Sequence, residues 1–381
     1  MHLNPRSGRW LPDPSARAHH IGIAVAYTVW QYYQVTGDIS FLIDYGAEML
    51  ADIARFWVSL ATFDPARERY VIRGVIGPDE FHSGYPGRGY DGIDNNAYTN
   101  VMAVWTILRA LEALEHMPIY YRVALLDALG IDDKDLEHWE DVSLRMFVPF
   151  HDGVISQFEG YEQLRELDWE SYRKRYDNLQ RLDRILEAEN DSVNNYKASK
   201  QADALMLFYL LSSDELYDLF GWLGYHFAPE QIPRTVDYYQ SRTSHGSTLS
   251  NVVHAWVLAR ANRNHALRYF NQAMASDVVD IQKGTTAEGI HLAAMAGTID
   301  LVQRCFTGLE LRSDRVVLEP LWPKSLGKLA FSLRYRGHRL HLWVSGRSAQ
   351  ISAEQGAAAP IEVECRGETK QLKPGGTIRF D

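Results

Sequence analysis

A chain of 381 residues, 46% hydrophobic and 23% charged, is long enough for one large domain and a smaller one, and apolar enough for a sizeable core. Its formal net charge of −10 excludes the basic footprint of a nucleic-acid binder. Two cysteines, Cys305 and Cys365, cannot build a disulfide framework and fit a reducing compartment better.

The N-terminal run Met1-His2-Leu3-Asn4-Pro5-Arg6 lacks the apolar stretch of a secretory signal. The longest apolar run, from Ile21 to Trp30, is too short to cross a bilayer, so a cytoplasmic protein with no membrane partner is expected. From residue 16 to 306 the apolar spacing is helical. Ile21, Val25, Val29, Tyr32 and Tyr33 form one stripe, and Phe41, Met49, Ile53, Phe56 and Trp57 a second. Ala97, Val101, Val104, Trp105, Leu108 and Leu111 form a third, with Asp94, Asn95 and Asn96 as candidate caps. Similar segments follow near 197–211, 214–226, 248–261, 264–276 and 286–306. Many antiparallel helices on loops of unequal length predict a helical toroid rather than a short-looped bundle. The Gly-, Pro-, Asp- and Tyr-rich segment Gly74 to Asn96 is long enough to predict a functional loop. The charged stretch 150–195, helical over Glu162 to Glu189, predicts either a lid or a solvated outer surface.

After Leu311 the pattern changes to alternating or β-branched runs: Val316 to Leu318, Leu329 to Tyr335, Leu340 to Val344, Ile361 to Cys365 and Thr377 to Phe380. Turns are expected at Arg336-Gly337-His338 and Pro374-Gly375-Gly376, which makes a small antiparallel β domain. No internal repeat or low-complexity tract stands out. The 10 Trp, 21 Tyr and 14 Phe suit sugar faces, though aromatic helical cores account for them equally well.

Four segments carry candidate chemistry. In Gly77-Pro78-Asp79-Glu80-Phe81-His82, two adjacent carboxyls follow a proline on a glycine-flanked loop. An acid that protonates a glycosidic oxygen needs a raised pKa, which apolar neighbours and a second carboxylate supply. A loop in which Asp79 caps a helix reads the same. Thr243-Ser244-His245-Gly246-Ser247-Thr248 precedes an apolar helix, where hydroxyls, a histidine and backbone N–H groups cradle an anion. Plain capping by Ser247 or Thr248 also fits. Lys200-Gln201-Ala202-Asp203 offers donors for sugar hydroxyls, or simply a solvated face. Gly284 to His291 sets Glu288 and His291 three apart at a helix start, where a Thr285–Glu288 capping box is the plain reading. No His-Glu-x-x-His, Cys-x-x-Cys or phosphate-loop pattern appears, and His19-His20, expected on a helix, reads as structural rather than metal-binding.

Taken in order, these segments, with Ser7 to Asp13, Tyr27 to Asp38 and Asp94 to Asn100, resemble glycoside hydrolase family 65 across essentially the whole chain. Its members include maltose, kojibiose, nigerose and trehalose phosphorylases. The resemblance implies a mainly α fold: an (α/α)6 toroid barrel over 1–311, incomplete on its N-terminal side, then a β-sandwich-like domain over 312–381. It implies that Glu80 is the general acid, that Lys200 and Gln201 contact the transferred glucose, and that His245, Ser247 and Thr248 bind phosphate. Inverting phosphorolysis of an α-glucoside to β-glucose 1-phosphate follows, with phosphate as co-substrate, no metal or organic cofactor, and a homodimer expected from the resemblance alone. An inverting hydrolase needs a second carboxylate to activate water, whereas phosphate is already an anionic nucleophile, so the Ser/Thr/His loop favours phosphorolysis. A hydrolase of the same fold and a non-catalytic fragment are the alternatives.

Overall fold

Residues Ile21–Thr36 (α1), Ala47–Leu60 (α2) and Ala97–His116 (α3) are helices where the three stripes predict them. The computed structural model describes residues 1–259, 262–281 and 286–381, apart from the side chains at 263 and 288. Gly284, Thr285 and the Glu288 side chain of the fourth candidate segment therefore lie outside the described residues.

Two of the predicted faces are reversed in part. In α1 the buried positions are Ile23, Ala26, Val29 and Trp30, whereas Ile21, Val25 and Tyr32 are exposed. The helix is apolar almost all round, so its spacing cannot select a face and its neighbours do. In α2 the core face is Leu50, Ala51, Ala54, Trp57 and Val58, with Met49 and Phe56 outside. The alanines let α2 pack closely on α3, which also contacts the helix Asp133–Arg145. Asn96 starts α3 by accepting the Thr99 N–H at 2.9 Å, as the cap expectation has it. His19 and His20 stand in the turn before α1, and His19 packs edge-on to Phe56.

The charged outer stretch is not one helix. It forms Trp169–Arg175, capped by Asp168 on Ser171 N–H at 3.0 Å, and a second short helix, Leu182–Ala188. Its charged side chains, among them Glu162, Glu166, Glu170, Arg173 and Lys174, are exposed, while its apolar side chains face inward. Leu167, Tyr172, Leu182, Ile185, Leu186, Val193 and Ala198 form a buried cluster with Phe81 of the candidate acid loop packed against it. Two further helices matter below: Asp203–Leu210 (α4), which packs on α3, and Thr248–Leu258 (α5).

The chain divides into two compact units, residues 1–27 with 43–253, and residues 28–42 with 254–381. In the second, helices Arg263–Ala275 and Leu292–Asp300 pack together. Its strands are Glu310–Leu311 (β1), Arg315–Leu318 (β2), Leu329–Tyr335 (β3), His338–Ser345 (β4), Ser348–Ala353 (β5), Ile361–Cys365 (β6), Glu368–Leu372 (β7) and Thr377–Phe380 (β8). They make two four-stranded sheets, ordered β8-β5-β4-β3 and β7-β6-β2-β1. Every pairing in these sheets is antiparallel except β2 with β6, which is parallel. Arg336 (φ 44) and Gly337 (φ 80) form the tight β3–β4 turn, which needs two left-handed residues. Leu340, Leu342 and Val344 of β4 point inward, alternating with the exposed Arg339 and Trp343. Strands β5 and β7, Ser-Ala-Gln-Ile-Ser-Ala and Glu-Thr-Lys-Gln-Leu, escaped the sequence reading because their composition is too polar to announce a strand.

Among the described residues no helix is long and apolar enough to cross a membrane, and no His/Cys/Asp/Glu group is arranged to hold a metal.

Candidate active site

The segment from Gly74 to Asn96 carries no helix, and its two ends are tied together. Val75 pairs with Ile93, Gly74 N–H donates to Asp94 Oδ1 at 3.0 Å, and Ile72 N–H donates to Asn95 Oδ1 at 3.1 Å. The result is a closed tongue carrying Gly77-Pro78-Asp79-Glu80. Its base rests on Asp203, the first residue of α4, which is fully buried. Asp203 accepts Asp79 N–H at 3.2 Å and the Asn96 side-chain amide at 3.1 Å, so one carboxyl joins the tongue to the cap of α3. Burial and then the charge of Glu80 push Asp203 well above the usual carboxylate range.

The Glu80 side chain is 1% exposed. Its Oε1 accepts Phe81 N–H at 2.7 Å and Lys200 N–H at 2.9 Å, and its Oε2 accepts the Gln157 amide at 2.7 Å. His82, also buried, donates Nε2–H to the Tyr196 carbonyl at 3.0 Å and turns Nδ1 toward Glu80 Oε1 at 3.8 Å. The Tyr161 phenol is fully buried and held well above its ordinary value, by burial first and by the Glu80 charge second.

Lys200 links this acid to the second candidate segment. Its N–H reaches Glu80, its Nζ reaches Asp79 Oδ1 at 2.6 Å, and its carbonyl accepts Gly246 N–H at 3.1 Å. Ser199 pairs with Thr243, and Ser244 N–H donates to the Ser199 carbonyl at 2.8 Å, which sets the 243–248 loop beside the Lys200 segment. A side chain on Gly246 would overlap the Gln180 carbonyl oxygen and stand 2.9 Å from Lys200 Cγ. Only glycine allows this approach. Burial raises Asp79 despite the opposing pull of Lys200 and of the nearby Ser247 hydroxyl.

The segments holding the expected site residues therefore come together, with particulars the sequence did not show. Gln201 is wholly buried, its amide donating to the Ala202 carbonyl at 2.8 Å and its Oε1 without a hydrogen-bond partner. His245 adopts a left-handed backbone (φ 55), its Nδ1 2.8 Å from Ser250 Oγ. Ser247 Oγ accepts Leu249 N–H at 3.2 Å, so it caps α5, and Thr248 is the first, buried residue of that helix. His291 pairs with Asp277 within the second unit. Gln157 and Asp203 were missed as site residues. Asp203 sits in the same four-residue run as Lys200, which could have flagged it; nothing around Gln157 marks it in sequence.

Comparison with known proteins places this geometry in context. Residues 1–300 match the model of the glycosyl hydrolase family 65 central catalytic domain, and residues 309–372 that of the family's C-terminal domain. An uncharacterized glycosyl hydrolase of Mycobacterium tuberculosis (strain CDC 1551 / Oshkosh) is 69% identical over 99% of this chain and 28% of its own length. A trehalose 6-phosphate phosphorylase of Lactococcus lactis subsp. lactis (strain IL1403) is 34% identical over 100% of this chain and 48% of its own. The chain thus spans less than half the length of these curated relatives. A solved human-microbiome protein, provisionally named a kojibiose phosphorylase, shares the fold with a TM-score of 0.76 and 22% identity, over 94% of this chain and 49% of its own. That likeness fits a barrel of paired helices followed by a β domain.

Proposed function

The chain belongs to glycosyl hydrolase family 65, and on that premise we propose that it carries the catalytic machinery for inverting phosphorolysis of an α-glucoside. Glu80 gives its proton to the glycosidic oxygen as the bond to C1 breaks. Hydrogen phosphate, held by His245, Ser247 and Thr248, attacks C1 from the opposite face and yields β-glucose 1-phosphate. Hydrogen phosphate loses its own proton on esterification, so Glu80 is protonated again over the cycle. Lys200 and Gln201 contact the transferred glucose. This reading needs no metal or organic cofactor. It assigns catalysis to 1–311, leaves 312–381 as an appended β domain, and expects a cytoplasmic homodimer.

The observation that carries it is the double role of the Lys200 backbone. Its N–H holds the Glu80 carboxylate and its carbonyl holds the Gly246 N–H of the anion loop, so acid and anion cradle flank one residue. The test is incubation with α-linked disaccharides, trehalose 6-phosphate among them, with and without phosphate. Phosphate-dependent glucose 1-phosphate is expected, and its absence with every sugar would refute the proposal.

One observation favours hydrolysis as a second reading. Asp79 Oδ2 is buried beside the Ser247 hydroxyl, which would suit a carboxylate that activates water. Free glucose released without phosphate would select it.

A further inference from the structure

Gln157 belongs to none of the motifs, yet it is fully buried and makes both of its side-chain hydrogen bonds inside the site. Its Oε1 accepts the Ala204 N–H at 2.8 Å, and its Nε2 donates to Glu80 Oε2 at 2.7 Å. The backbone N–H of Ala204, in the first turn of α4, can only donate, so the atom facing it must be the amide oxygen. The amide is thereby locked with its NH2 toward Glu80. Meanwhile both acceptor positions of Glu80 Oε1 are taken by the backbone N–H groups of Phe81 and Lys200.

We propose that Gln157 is a positioning residue for the general acid. By donating permanently to Oε2 it leaves one lone pair, on that same oxygen, as the only place for the catalytic proton. This rests on the reading of Glu80 as the acid. A freely rotating glutamic acid could carry its proton on either oxygen, and half of its orientations would be unproductive. Here two backbone amides and one locked side-chain amide select the orientation before substrate arrives, which is the preorganisation that proton transfer requires. Other titratable groups also face Glu80: Asp79 and His82 from its own tongue, Lys200 from the segment before α4, Asp203 from the start of α4, Tyr161 from the segment after Gln157, and Tyr239 from the helix Gln231–Gln240. The variants below leave all of them unaltered.

The test compares Gln157→Leu and Gln157→Glu with the parent chain. In the first, the carboxylate loses a donor. The alkaline limb of the pH–rate profile should move up by about one pH unit, the effect of one hydrogen bond to a charged group. kcat at neutral pH should fall about tenfold with KM for the glucoside within twofold, as for a group that acts on the transition state. In the second, the new carboxyl keeps the Ala204 bond and shares a proton with Glu80, which should push that limb higher still. The carboxyl 13C signal of Glu80, identified by its loss in Glu80→Gln, should titrate with the same displacement and needs no turnover to be read. Gln157→Glu preserves size and the buried acceptor, so it serves if Gln157→Leu fails to fold. Full activity in Glu80→Gln would remove the acid reading itself. With Glu80→Gln inactive, parental pH profiles and parental carboxyl titrations in the Gln157 variants would overturn this inference alone.

Discussion

Gly77 and Asp203 are packed so closely that no side chain fits between them. A Cβ on Gly77 would overlap Asp203 Oδ2 and stand 2.5 Å from its Cγ and 3.0 Å from Asn96 Nδ2. Oδ2 accepts the Asn96 amide and Oδ1 of the same carboxyl accepts Asp79 N–H, so any shift there is passed to the residue beside Glu80. Gly77→Ala is expected to cost about 1–3 kcal/mol, the range for overpacking a well-filled site, and to lower activity with it. Gly221→Ala is the control. Gly221 lies in a helix with open space around it, and alanine there should stabilise by about 0.5–1 kcal/mol. Denaturant melts of the two variants should diverge in sign, and equal stabilities would contradict the packing argument.

Asp203 also predicts how stability depends on pH. Its folded-state pKa lies above the unfolded value, so its favourable contribution is complete below the unfolded pKa and is lost as pH rises through the folded one. Within that window one linked proton changes stability by about 1.4 kcal/mol per pH unit. Asp203→Asn removes the ionisation, so its unfolding free energy should fall less steeply than the parent's from mildly acidic to neutral pH. Parallel curves would show that Asp203 does not hold its proton on folding.

Glu80→Gln keeps the size and the Oε1 acceptor of the side chain, removes the transferable proton and sets an NH2 group against the Gln157 amide. Glucose 1-phosphate formation should fall by about 100- to 10,000-fold, the usual worth of a general acid, in a variant that circular dichroism shows to be folded. Unchanged activity would sink the assignment.

His245 and Ser247 should affect phosphate more than sugar. Replacing either by alanine is expected to raise KM for phosphate by about tenfold or more, as the loss of a hydrogen bond to an anion predicts, and to leave KM for the glucoside near its parental value. The left-handed backbone of His245 confounds a simple alanine test. His245→Asn tolerates that conformation and should be as defective as alanine if the imidazole itself binds the anion. Recovery of phosphate affinity in the asparagine variant would reduce His245 to a conformational role.

Much of the local structure was legible in the residues. The Asn96 cap and the Arg336-Gly337 turn were readable because each depends on neighbours within a few positions, and the Gly74 to Asn96 loop because its composition admits no helix. The segments that meet at the candidate site were legible in part: those of Glu80, Lys200 and His245 stand out by their residue types, and they lie together in the structure. Gln157 and Asp203 act on Glu80 and Asp79 across separations of 77 and 124 residues. No local pattern records such a meeting.

By itself, then, the sequence determined the order of helices, the change to strands after Leu311 and the motifs that mark the family, since hydrogen bonding and side-chain periodicity act over one or two turns. Only the tertiary structure decided which face of α1 and α2 is core and that the charged outer stretch packs beneath Phe81. It alone brought the Gln157 amide onto the Glu80 carboxyl and the Asp203 carboxyl onto the Asp79 N–H. Those outcomes depend on which distant surfaces exclude water together, and burial is a property of the packed chain rather than of any segment in it.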